Sequence, residues 1–473
     1  MPPWGPADVV SLVSVVVGTT VAVVVGGACV VGFSPAYGSG VGAGSPSTAA
    51  PSAGCVRADL SAMSVSAIAL RYGSIVGALL TVAEAQARVL AAAAPLDAES
   101  VALSDASGRV TAAPALARVD LPPFPSSAMD GYAVRAADVP GALEVVAHIA
   151  AGSPSDASVR AGEAMAISTG GVVPTGADAV APIEIVVESD NGIEVLDALR
   201  SGMHVRPRGG DVESGDVVVP SGTRLGPVQL GALAAAGVAE VACVRRPHVV
   251  VLATGSELVQ PGAPLGPGQV YESNALMLTA ALAAAGADVE RLPPVADDAE
   301  AHRAALERGL EADVLVTSGG VSVGPHDLVR RIEAELGVEE VFWQVAVKPG
   351  KPVAFGVRGH TLVFGLPGNP VSSLVGCELF VKPALRALQG LADPLPRFER
   401  GVLAVPVRRN ASRDELVRAR IESDGDAVVL APLPGQESHM IVRAAGADAL
   451  VHVERGEGVL DAGAAVPYLR LAP

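Results

Sequence analysis

The sequence predicts a multidomain α/β protein built around a mainly parallel, three-layer α/β domain, and three observations support this prediction. At 473 residues the chain is too long for a single hydrophobic core. Strands alternate with helices of about a dozen residues over 246–392, as in βαβ units. Short strands follow one another over 144–187 and again over 396–473, so we expect a β-rich second domain and a small C-terminal β-barrel or sandwich.

The first 78 residues form a low-complexity and hydrophobic extension. Residues 9–33 carry no charged side chain and are long enough to span a bilayer. Asp8, however, stands where a signal peptide would carry positive charge. Three interpretations stay open: a start-site artefact or disordered extension, a membrane anchor, and a cleaved signal peptide. We expect membrane contact only if residues 9–33 are real and retained.

Composition limits the partners and the compartment. The formal net charge is −17, and because phosphate binding needs a basic face, we expect no nucleic-acid partner. The four cysteines are scattered without metal-ligand spacing. This favours neither a zinc site nor a disulfide framework, and it fits a reducing cytoplasm.

Three loops between residues 79 and 245 carry candidate site residues. Asp130 lies on a tight turn, where it either faces a ligand or caps the turn. Thr169 opens a small-residue Thr-Gly-Gly loop. Arg206, Arg208 and Asp211 lie within six residues, and they either clamp a phosphate or form a solvated salt-bridged loop. The flanking pattern predicts a helix after an N-cap at Thr81, strands at 99–103 and 118–121, and a helix over 225–237.

In the α/β segment, polar loops follow short apolar runs that we predict to be buried parallel strands. Ligands of open α/β sheets bind at the carboxyl ends of such strands. The predicted strands are 249–252, 288–295, 314–316, 345–347 and 362–364, with helices at 274–285 and 299–310.

The loops after the last three predicted strands indicate a shared anion site. After the strand at 314–316, we expect backbone amides and hydroxyls that are free to bind a ligand, at Ser318, Gly319, Gly320 and Ser322. After the second come Lys348 and Lys351, two of only three lysines beside thirty arginines, and a compact ammonium suits an anion. A rigid, turn-rich loop follows the third, with Pro367, Gly368, Asn369 and Pro370.

Acidic side chains follow strands at the same edge. They are Glu257, Asp297, Asp298 and Asp327. Converging carboxylates repel one another unless a cation lies among them, so we predict a Mg²⁺ site. Helix N-capping is expected to account for one of the four.

After residue 396 helix signals stop. Strands are predicted at 401–407, 416–421, 428–433, 449–453 and 465–469. His439, in a loop between two of them, either reaches a ligand or caps the loop.

The motifs of this chain, taken together, resemble those of the molybdopterin molybdenumtransferases, the MoeA and gephyrin E-domain family. They are SAMDGYA, TGG-x-x-P-x-GADAV, R-x-RGGD, TGSEL, SGGVSVG-x-x-D, KPGKP and GLPGNPVS, in this order. The resemblance implies a discontinuous first domain (79–127 and 213–245), a β-rich second domain (128–212), a molybdopterin-binding α/β third domain (246–392) and a C-terminal β-barrel (396–473). It further implies a homodimer that hydrolyses adenylylated molybdopterin, inserts molybdate and releases AMP with Mg²⁺.

Carried over position by position, the resemblance also implies residue roles. Asp130 and Thr169 would complete a cleft built on the third domain, often across the dimer. Glu257, Asp297 and Asp327 would be its acidic residues, with Asp297 and Asp327 as Mg²⁺ ligands and Asp298 beside them. Lys348 and Lys351 would hold molybdate or phosphate. Gly319, Gly320, Ser322 and residues 367–370 would hold the pterin phosphate and adenylate. The remaining substrate-binding candidates are Arg206, Arg208, Asp211 and Ser318.

Two other functions are compatible with parts of this pattern. A molybdopterin adenylyltransferase shares the third domain, but it usually carries Thr-Gly after Ser-Gly-Gly, where this chain has Val321-Ser322, and it lacks the flanking domains. A non-catalytic gephyrin-like scaffold is the second alternative, although the retained acids and lysines favour an enzyme. Expected partners are a second copy of the chain, the molybdopterin adenylyltransferase and enzymes that accept the cofactor.

Overall fold

The computed structural model describes residues 79–471, apart from residues 191, 321–327 and 426, together with the backbone of three strands nearer the N-terminus. Those strands are β1 (Val13–Val17), β2 (Thr20–Val25) and β3 (Ala28–Gly32), and they form an antiparallel sheet in the order β1-β2-β3. Across the described part of the chain we find no helix with the length and apolarity that a membrane span requires. The candidate residues Ser322 and Asp327 lie outside the described residues.

Helix α1 (Val82–Ala92) begins at the predicted N-cap. The Thr81 hydroxyl accepts a hydrogen bond from the Glu84 amide (3.1 Å), and the Glu84 carboxylate accepts one from the Thr81 amide (2.8 Å). The buried face of α1, Ala85 and Val89, belongs to the same hydrophobic core as the sheet of the α/β domain. The helix therefore packs on the α/β domain, although two other domains separate them in sequence.

Two distant segments then form one small core. Strand β4 (Ala98–Ala102) pairs with β15 (Glu240–Val244), and β5 (Ala115–Leu116) pairs with β14 (Val217–Val219). Helix α2 (Pro227–Ala235) buries Leu233 against them.

The prediction of a strand at 118–121 is wrong. Leu121 makes only an isolated bridge to Val212, because Pro122 and Pro123 follow it and proline cannot donate to a ladder.

The β-rich domain lies between these two segments in sequence. Its six-stranded sheet has the order β10-β7-β9-β8-β12-β11, and a short ladder of β6 and β13 stands beside it. The strands are β6 (Ser126–Ser127), β7 (Gly131–Val134), β8 (Gly141–Ile149), β9 (Glu163–Ile167), β10 (Ala179–Pro182), β11 (Val186–Ser189), β12 (Gly192–Val195) and β13 (Val205–Arg206).

The α/β domain is the predicted three-layer structure. Its sheet has the order β19-β16-β20-β24-β23-β21, and β19, β16, β20 and β24 are mutually parallel. The strands are β16 (His248–Ala253), β19 (Asp288–Arg291), β20 (Val314–Ser318), β21 (Glu339–Trp343), β23 (Ala354–Arg358) and β24 (Thr361–Leu366); a small pair, β17 (Leu258–Val259) and β18 (Val270–Tyr271), lies outside the sheet.

Alternate residues of β16 face the two helix layers. Val249 and Val251 share a core with α3, whereas Val250 and Leu252 share one with α4 and α5. The helices of this domain are α3 (Asn274–Ala284), α4 (Ala299–Gly309), α5 (Leu328–Glu335), α6 (Pro370–Gly376) and α7 (Lys382–Leu388), with a π-helical turn at Cys377–Val381.

The prediction that residues 345–347 form a strand of this sheet is wrong. Strand β22 (Val347–Lys348) pairs instead with β27 (Asp414–Asp424) of the C-terminal domain. The reason is the hairpin of β23 and β24, whose two-residue connection places β23 antiparallel beside β24 and occupies that edge.

The C-terminal domain is a closed five-stranded barrel, as the resemblance implied. Pairings run from β27 to β28, β25, β31 and β29, and β29 pairs back with β27. Tyr468 and Leu430 are fully buried in its core. The barrel strands are β25 (Glu399–Leu403), β27, β28 (Ala427–Pro432), β29 (Ala449–Val453) and β31 (Ala465–Arg470); β26 (Val407–Arg408), β30 (Val459–Leu460) and helix α8 (Ile441–Ala444) complete the domain.

Candidate active site

The Ser-Gly-Gly loop follows β20 at the carboxyl edge of the parallel strands. A Cβ atom on Gly319 (φ +100°) would lie 2.6 Å from the Thr254 carbonyl oxygen, and one on Gly320 (φ +65°) would overlap the Val329 side chain. Only glycine fits both positions. The Gly319 amide donates to the Leu366 carbonyl (3.0 Å), so the expectation of an uncovered amide there is wrong, since the sheet already uses it.

The Ser318 side chain also has a different use from the predicted one. It is 2% exposed, and its hydroxyl accepts a hydrogen bond from the Asn274 side-chain amide (2.9 Å). It lies 3.4 Å from the Pro367 carbonyl and from the Ser373 hydroxyl. Ser318 therefore joins two loops inside the protein instead of facing a ligand.

The loop after β24 approaches the Ser-Gly-Gly loop closely. Pro367 is buried, whereas Gly368 and Asn369 are exposed. A Cβ on Gly368 would lie 3.9 Å from the Gly319 Cα. Pro370 is the first residue of α6, where a missing amide costs nothing. The half-buried glycines of the Ser-Gly-Gly loop and the exposed Gly368 and Asn369 are therefore adjacent, and both loops have little side-chain bulk.

The lysine loop reaches the same place from another direction. The Lys348 ammonium forms an ion pair with the Glu415 carboxylate (2.9 Å). A Cβ on Gly350 would lie 3.4 Å from the Ser372 carbonyl of α6. In the described part of the chain no ion pair is found for the half-buried Lys351. Although residues 345–347 are not in the α/β sheet, the lysine loop is still beside the loop that follows β24.

The three predicted acids that the structure describes have different roles, and Asp327 lies outside the described residues. The Asp297 carboxylate accepts a hydrogen bond from the Ser256 hydroxyl (3.0 Å), and the Asp297 amide donates to that hydroxyl (2.9 Å). Glu257, which follows Ser256 in the chain, is exposed. Asp298 is the N-cap of α4 and accepts a hydrogen bond from the Ala301 amide (2.8 Å). The alternative of a structural capping role therefore applies to Asp298.

The structure does not assemble a complete metal site from these acids. Among the described residues, no three His, Cys, Asp or Glu side chains are grouped as metal ligands. The hydrogen bonds between Asp297 and Ser256 nevertheless join the loops after β19 and β16, which carry the carboxylates of Asp297 and Glu257, and hard cations such as Mg²⁺ prefer oxygen donors. The donor chemistry fits Mg²⁺.

Sequence reasoning missed two side chains that hold this region together. The Asn274 amide donates to Ser318 and to the Gly368 carbonyl (2.7 Å). The Arg418 guanidinium, 1% exposed, donates to the carbonyls of Gly435, Glu437 and Met440. An asparagine at a helix start and an arginine on a strand look like ordinary cap and surface residues, so no signal in a single sequence marks them.

Arg418 fixes the loop of residues 435–440, which contacts α6. The Ser438 carbonyl accepts a hydrogen bond from the Val371 amide (3.0 Å). Burial lowers the pKa of the Arg418 guanidinium. His439 is exposed, and Arg418 and Gln436, rather than His439, provide the side-chain hydrogen bonds that hold the loop.

A second polar cluster lies in the β-rich domain. The Asp130 carboxylate accepts a hydrogen bond from the Thr169 amide (2.7 Å). A Cβ on Gly131 would overlap the Ala181 carbonyl, so glycine is required after Asp130. Strand β13 places Arg206 opposite Ser126, near this turn. The structure therefore joins Asp130 to Thr169 directly and places Arg206 opposite Ser126, four residues before Asp130.

Arg208 is part of a salt-bridged loop, the second of the two roles considered for it. It forms an ion pair with Asp120, and Asp120 also accepts a hydrogen bond from the Ser214 amide (2.8 Å). The Ser214 amide and the Arg208 guanidinium lower the pKa of Asp120. Asp211 is exposed. For the described residues, no hydrogen bond or ion pair joins the β-rich cluster to the α/β loops.

Comparisons with known proteins agree with this domain order. Family models match residues 80–237 (MoeA N-terminal region, domain I and II), 250–387 (probable molybdopterin binding domain) and 400–471 (MoeA C-terminal region, domain IV). The chain is 37% identical over 369 residues to molybdopterin molybdenumtransferase 2 of Mycobacterium tuberculosis, covering 75% of this chain and 90% of the relative. It is 38% identical over 317 residues to the molybdopterin molybdenumtransferase of Haemophilus influenzae, covering 66% and 78%.

A solved structure has the same architecture. The crystal structure of a molybdopterin biosynthesis MoeA protein from Pyrococcus horikoshii matches with a TM-score of 0.71 at 31% identity, covering 83% of this chain and 99% of that one. The domain order, with polar loops at the carboxyl ends of the parallel strands, defines a MoeA-type multidomain protein. The chain belongs to the molybdopterin molybdenumtransferase family.

Proposed function

We propose that this chain inserts molybdate into adenylylated molybdopterin, with hydrolysis of the pyrophosphate link, release of AMP and assistance from Mg²⁺. As a member of its family it is a transferase of molybdenum cofactor biosynthesis. The observation that supports the specific reaction is the meeting of the Ser-Gly-Gly loop, the loop after β24 and the lysine loop at one edge of the sheet.

Binding of a polyanion follows from the backbone and the lysines. The backbone of half-buried Gly320 and exposed Gly368 lets a phosphate approach closely, because neither residue has a side chain. Lys351 supplies positive charge that no described carboxylate neutralises. The Lys348 ammonium would either leave Glu415 to contact the anion or contact the anion and Glu415 together. The lysines therefore offset charge on molybdate or on the bridging phosphate oxygens.

The acids suit the remaining step. Asp297, with Ser256 and Glu257 beside it, would hold Mg²⁺ together with Asp327, which lies outside the described residues. When bound, Mg²⁺ supplies Lewis-acid stabilisation of the negative charge that develops on the phosphate oxygens. We leave Asp298 out of this set because its carboxylate caps α4.

We propose a homodimer because the cleft would otherwise lack Asp130 and Thr169. These residues form their own cluster in the β-rich domain, and a second copy is the simplest source of a contact between that cluster and the α/β loops. The adenylyltransferase that makes the substrate, and the enzymes that accept the cofactor, are the other proposed partners. We further propose that the reaction takes place in the cytoplasm.

A reconstitution assay tests the proposed function. Purified full-length chain is mixed with adenylylated molybdopterin, Mg²⁺ and either molybdate or tungstate, and both AMP and active cofactor are measured. We expect AMP release and cofactor formation that EDTA abolishes and Mg²⁺ restores. AMP release that EDTA leaves unchanged would refute the Mg²⁺ assignment, and an absence of turnover with both oxyanions would refute the proposed reaction.

The two lysines provide a matched pair of variants for the same assay. Lys351→Met removes a charge with no described ion pair, so we expect kcat/KM for molybdate to fall at least about 100-fold, mainly through a higher KM, while the protein stays folded. Lys348→Met also leaves the Glu415 carboxylate unpaired, so it should lower both activity and the thermal midpoint. Equal KM values for the wild type and Lys351→Met would contradict the lysine assignment.

A further inference from the structure

The Asn274 side chain connects the Ser-Gly-Gly loop to the backbone of Gly368. Among the described residues, no other side chain hydrogen-bonds to both. Both hydrogens of its side-chain amide are used: one hydrogen bond goes to the Ser318 hydroxyl (2.9 Å) and the other to the Gly368 carbonyl (2.7 Å). A carbonyl oxygen can only accept, so the atom that faces Gly368 must be the amide nitrogen. The orientation of the amide is therefore fixed by its partners.

The side chain is held firmly in place. Asn274 is 9% exposed and is the first residue of α3. The buried Glu272 carboxylate accepts a hydrogen bond from the Ala275 amide (2.6 Å) and so fixes the first turn of the helix. Neither Glu272 nor Asn274 has a role in the reaction described above.

The bridge acts on backbone that the proposed function uses. Gly368 carries the second hydrogen bond and is exposed, and a Cβ on Gly368 would lie 3.9 Å from Gly319. A shift of the Gly368 carbonyl would change the gap between the two loops that receive the phosphates. Small displacements of a binding loop weaken ligand affinity strongly.

We propose that Asn274 is a positioning residue that sets the spacing between the Ser-Gly-Gly loop and the loop after β24, and thereby determines affinity for the pterin nucleotide. The inference rests on the proposed function. It predicts a specific defect: the pterin nucleotide binds less tightly, whereas molybdate, which the lysine loop receives, binds as before.

The test compares two substitutions of the same kind. Asn274→Asp keeps the shape of the side chain but replaces the donor that faces the Gly368 carbonyl with an oxygen, which repels it. Asn410→Asp is the control, because the Asn410 side chain only accepts, from the Ser412 and Arg413 amides (both 3.0 Å), and aspartate does the same. Steady-state AMP release is measured in the full chain with each substrate varied in turn.

We expect Asn274→Asp to raise KM for the pterin nucleotide about tenfold or more, with kcat and KM for molybdate changed less than about twofold. Ser318→Ala keeps the bond from Asn274 to Gly368 but removes the Asn274–Ser318 bond and the longer contacts of Ser318 with Pro367 and Ser373 (3.4 Å). It should therefore raise the same KM by a smaller factor, and it carries the test if Asn274→Asp does not fold. Asn410→Asp should match the wild type. Loss of folded protein alone would lower kcat and leave both KM values unchanged.

Two results would overturn the inference. One is that the wild type is active and both Asn274→Asp and Ser318→Ala have the wild-type KM for the pterin nucleotide. The other is an Asn274→Asp variant whose KM values for both substrates rise together, which indicates a general loosening of the cleft. A wild type without turnover would instead refute the proposed function itself, so the two failures are distinguishable.

Discussion

The α/β loops and the β-rich cluster are built in different ways. In the α/β domain, Asn274 joins residues 44 and 94 positions away through side chains that are almost fully buried. In the β-rich domain, Asp130 and Thr169 are 39 positions apart, both are exposed, and one side chain-to-backbone hydrogen bond joins them. Substitutions in the first region should therefore damage fold and activity together, whereas substitutions in the second should separate them.

The largest effect is expected at the glycine of the Ser-Gly-Gly loop. Gly319→Ala would force a Cβ to 2.6 Å from the Thr254 carbonyl at φ +100°, so we expect a loss of about 2–4 kcal/mol in unfolding free energy and of at least about 100-fold in kcat/KM. Gly170→Ala is the control, with φ +80° and no atom within 4 Å, and it should cost only about 1 kcal/mol. Denaturant unfolding and AMP release measure both, and equal losses would contradict the comparison.

Mixing two inactive variants tests whether the two regions meet across a dimer. Asp130→Ala and Lys351→Ala should each lower kcat/KM by at least about 100-fold, with Asp130→Ala leaving the thermal midpoint unchanged because Asp130 is exposed. After co-expression about half of the dimers are mixed, and each has one intact site if the cleft is shared between copies. Activity should then recover to about a quarter of the wild-type value.

A cleft formed within one copy would give a different result. Each mixed dimer would contain two defective sites, and co-expression would recover no activity. Activity no higher than that of either variant prepared alone would therefore refute the shared cleft.

A smaller effect is expected from Arg418→Met. It leaves the carbonyls of Gly435, Glu437 and Met440 without their buried donor, so we expect a loss of about 2–4 kcal/mol in unfolding free energy. Arg420→Met, two residues further along the same face of β27 but exposed, removes one weak bond to the Gly446 carbonyl (3.3 Å) and should cost less than about 1 kcal/mol. Equal unfolding curves for the two variants would refute the bracing role of Arg418.

The smallest effect is a pH dependence at the opposite, amino edge of the parallel strands. Burial alone would raise the pKa of Asp313, but hydrogen bonds from the Arg245 guanidinium (2.6 Å) and the His248 amide (2.8 Å) more than offset it, so the pKa is lowered. A lowered carboxyl pKa stabilises the fold above the unfolded-state pKa, and this contribution is lost as pH falls through the folded-state pKa.

Asp313→Asn should therefore lower stability by about 1 kcal/mol at pH 7, a modest value because the pair is partly exposed. The difference from the wild type should shrink below about pH 4. Thermal unfolding of both proteins between pH 3 and pH 7 measures this. A difference that stays constant over the range would show that charge is not the cause, and AMP release at pH 7 should be unchanged because Asp313 is remote from the loops.

The sequence alone determined the elements with strong local signals. The α1 N-cap at Thr81, the alternation that gives the three-layer domain and the five barrel strands are all confirmed, because capping and hydrophobic periodicity act over a few residues. The motifs also predicted which loops carry Asp130, Thr169, Gly319 and Lys348. Such loops are readable because glycine and proline constrain the backbone locally.

Only the tertiary structure decided how these pieces are combined. Residues 345–347 joined the barrel because a hairpin had taken the sheet edge, Asp298 became a helix cap, and Asn274 and Arg418 became buried hydrogen-bond donors. Each outcome depends on which distant carbonyl, strand or carboxylate lies within about 3 Å. Hydrophobic periodicity carries no information about such pairings, since it records which side chains avoid water and not which polar groups meet.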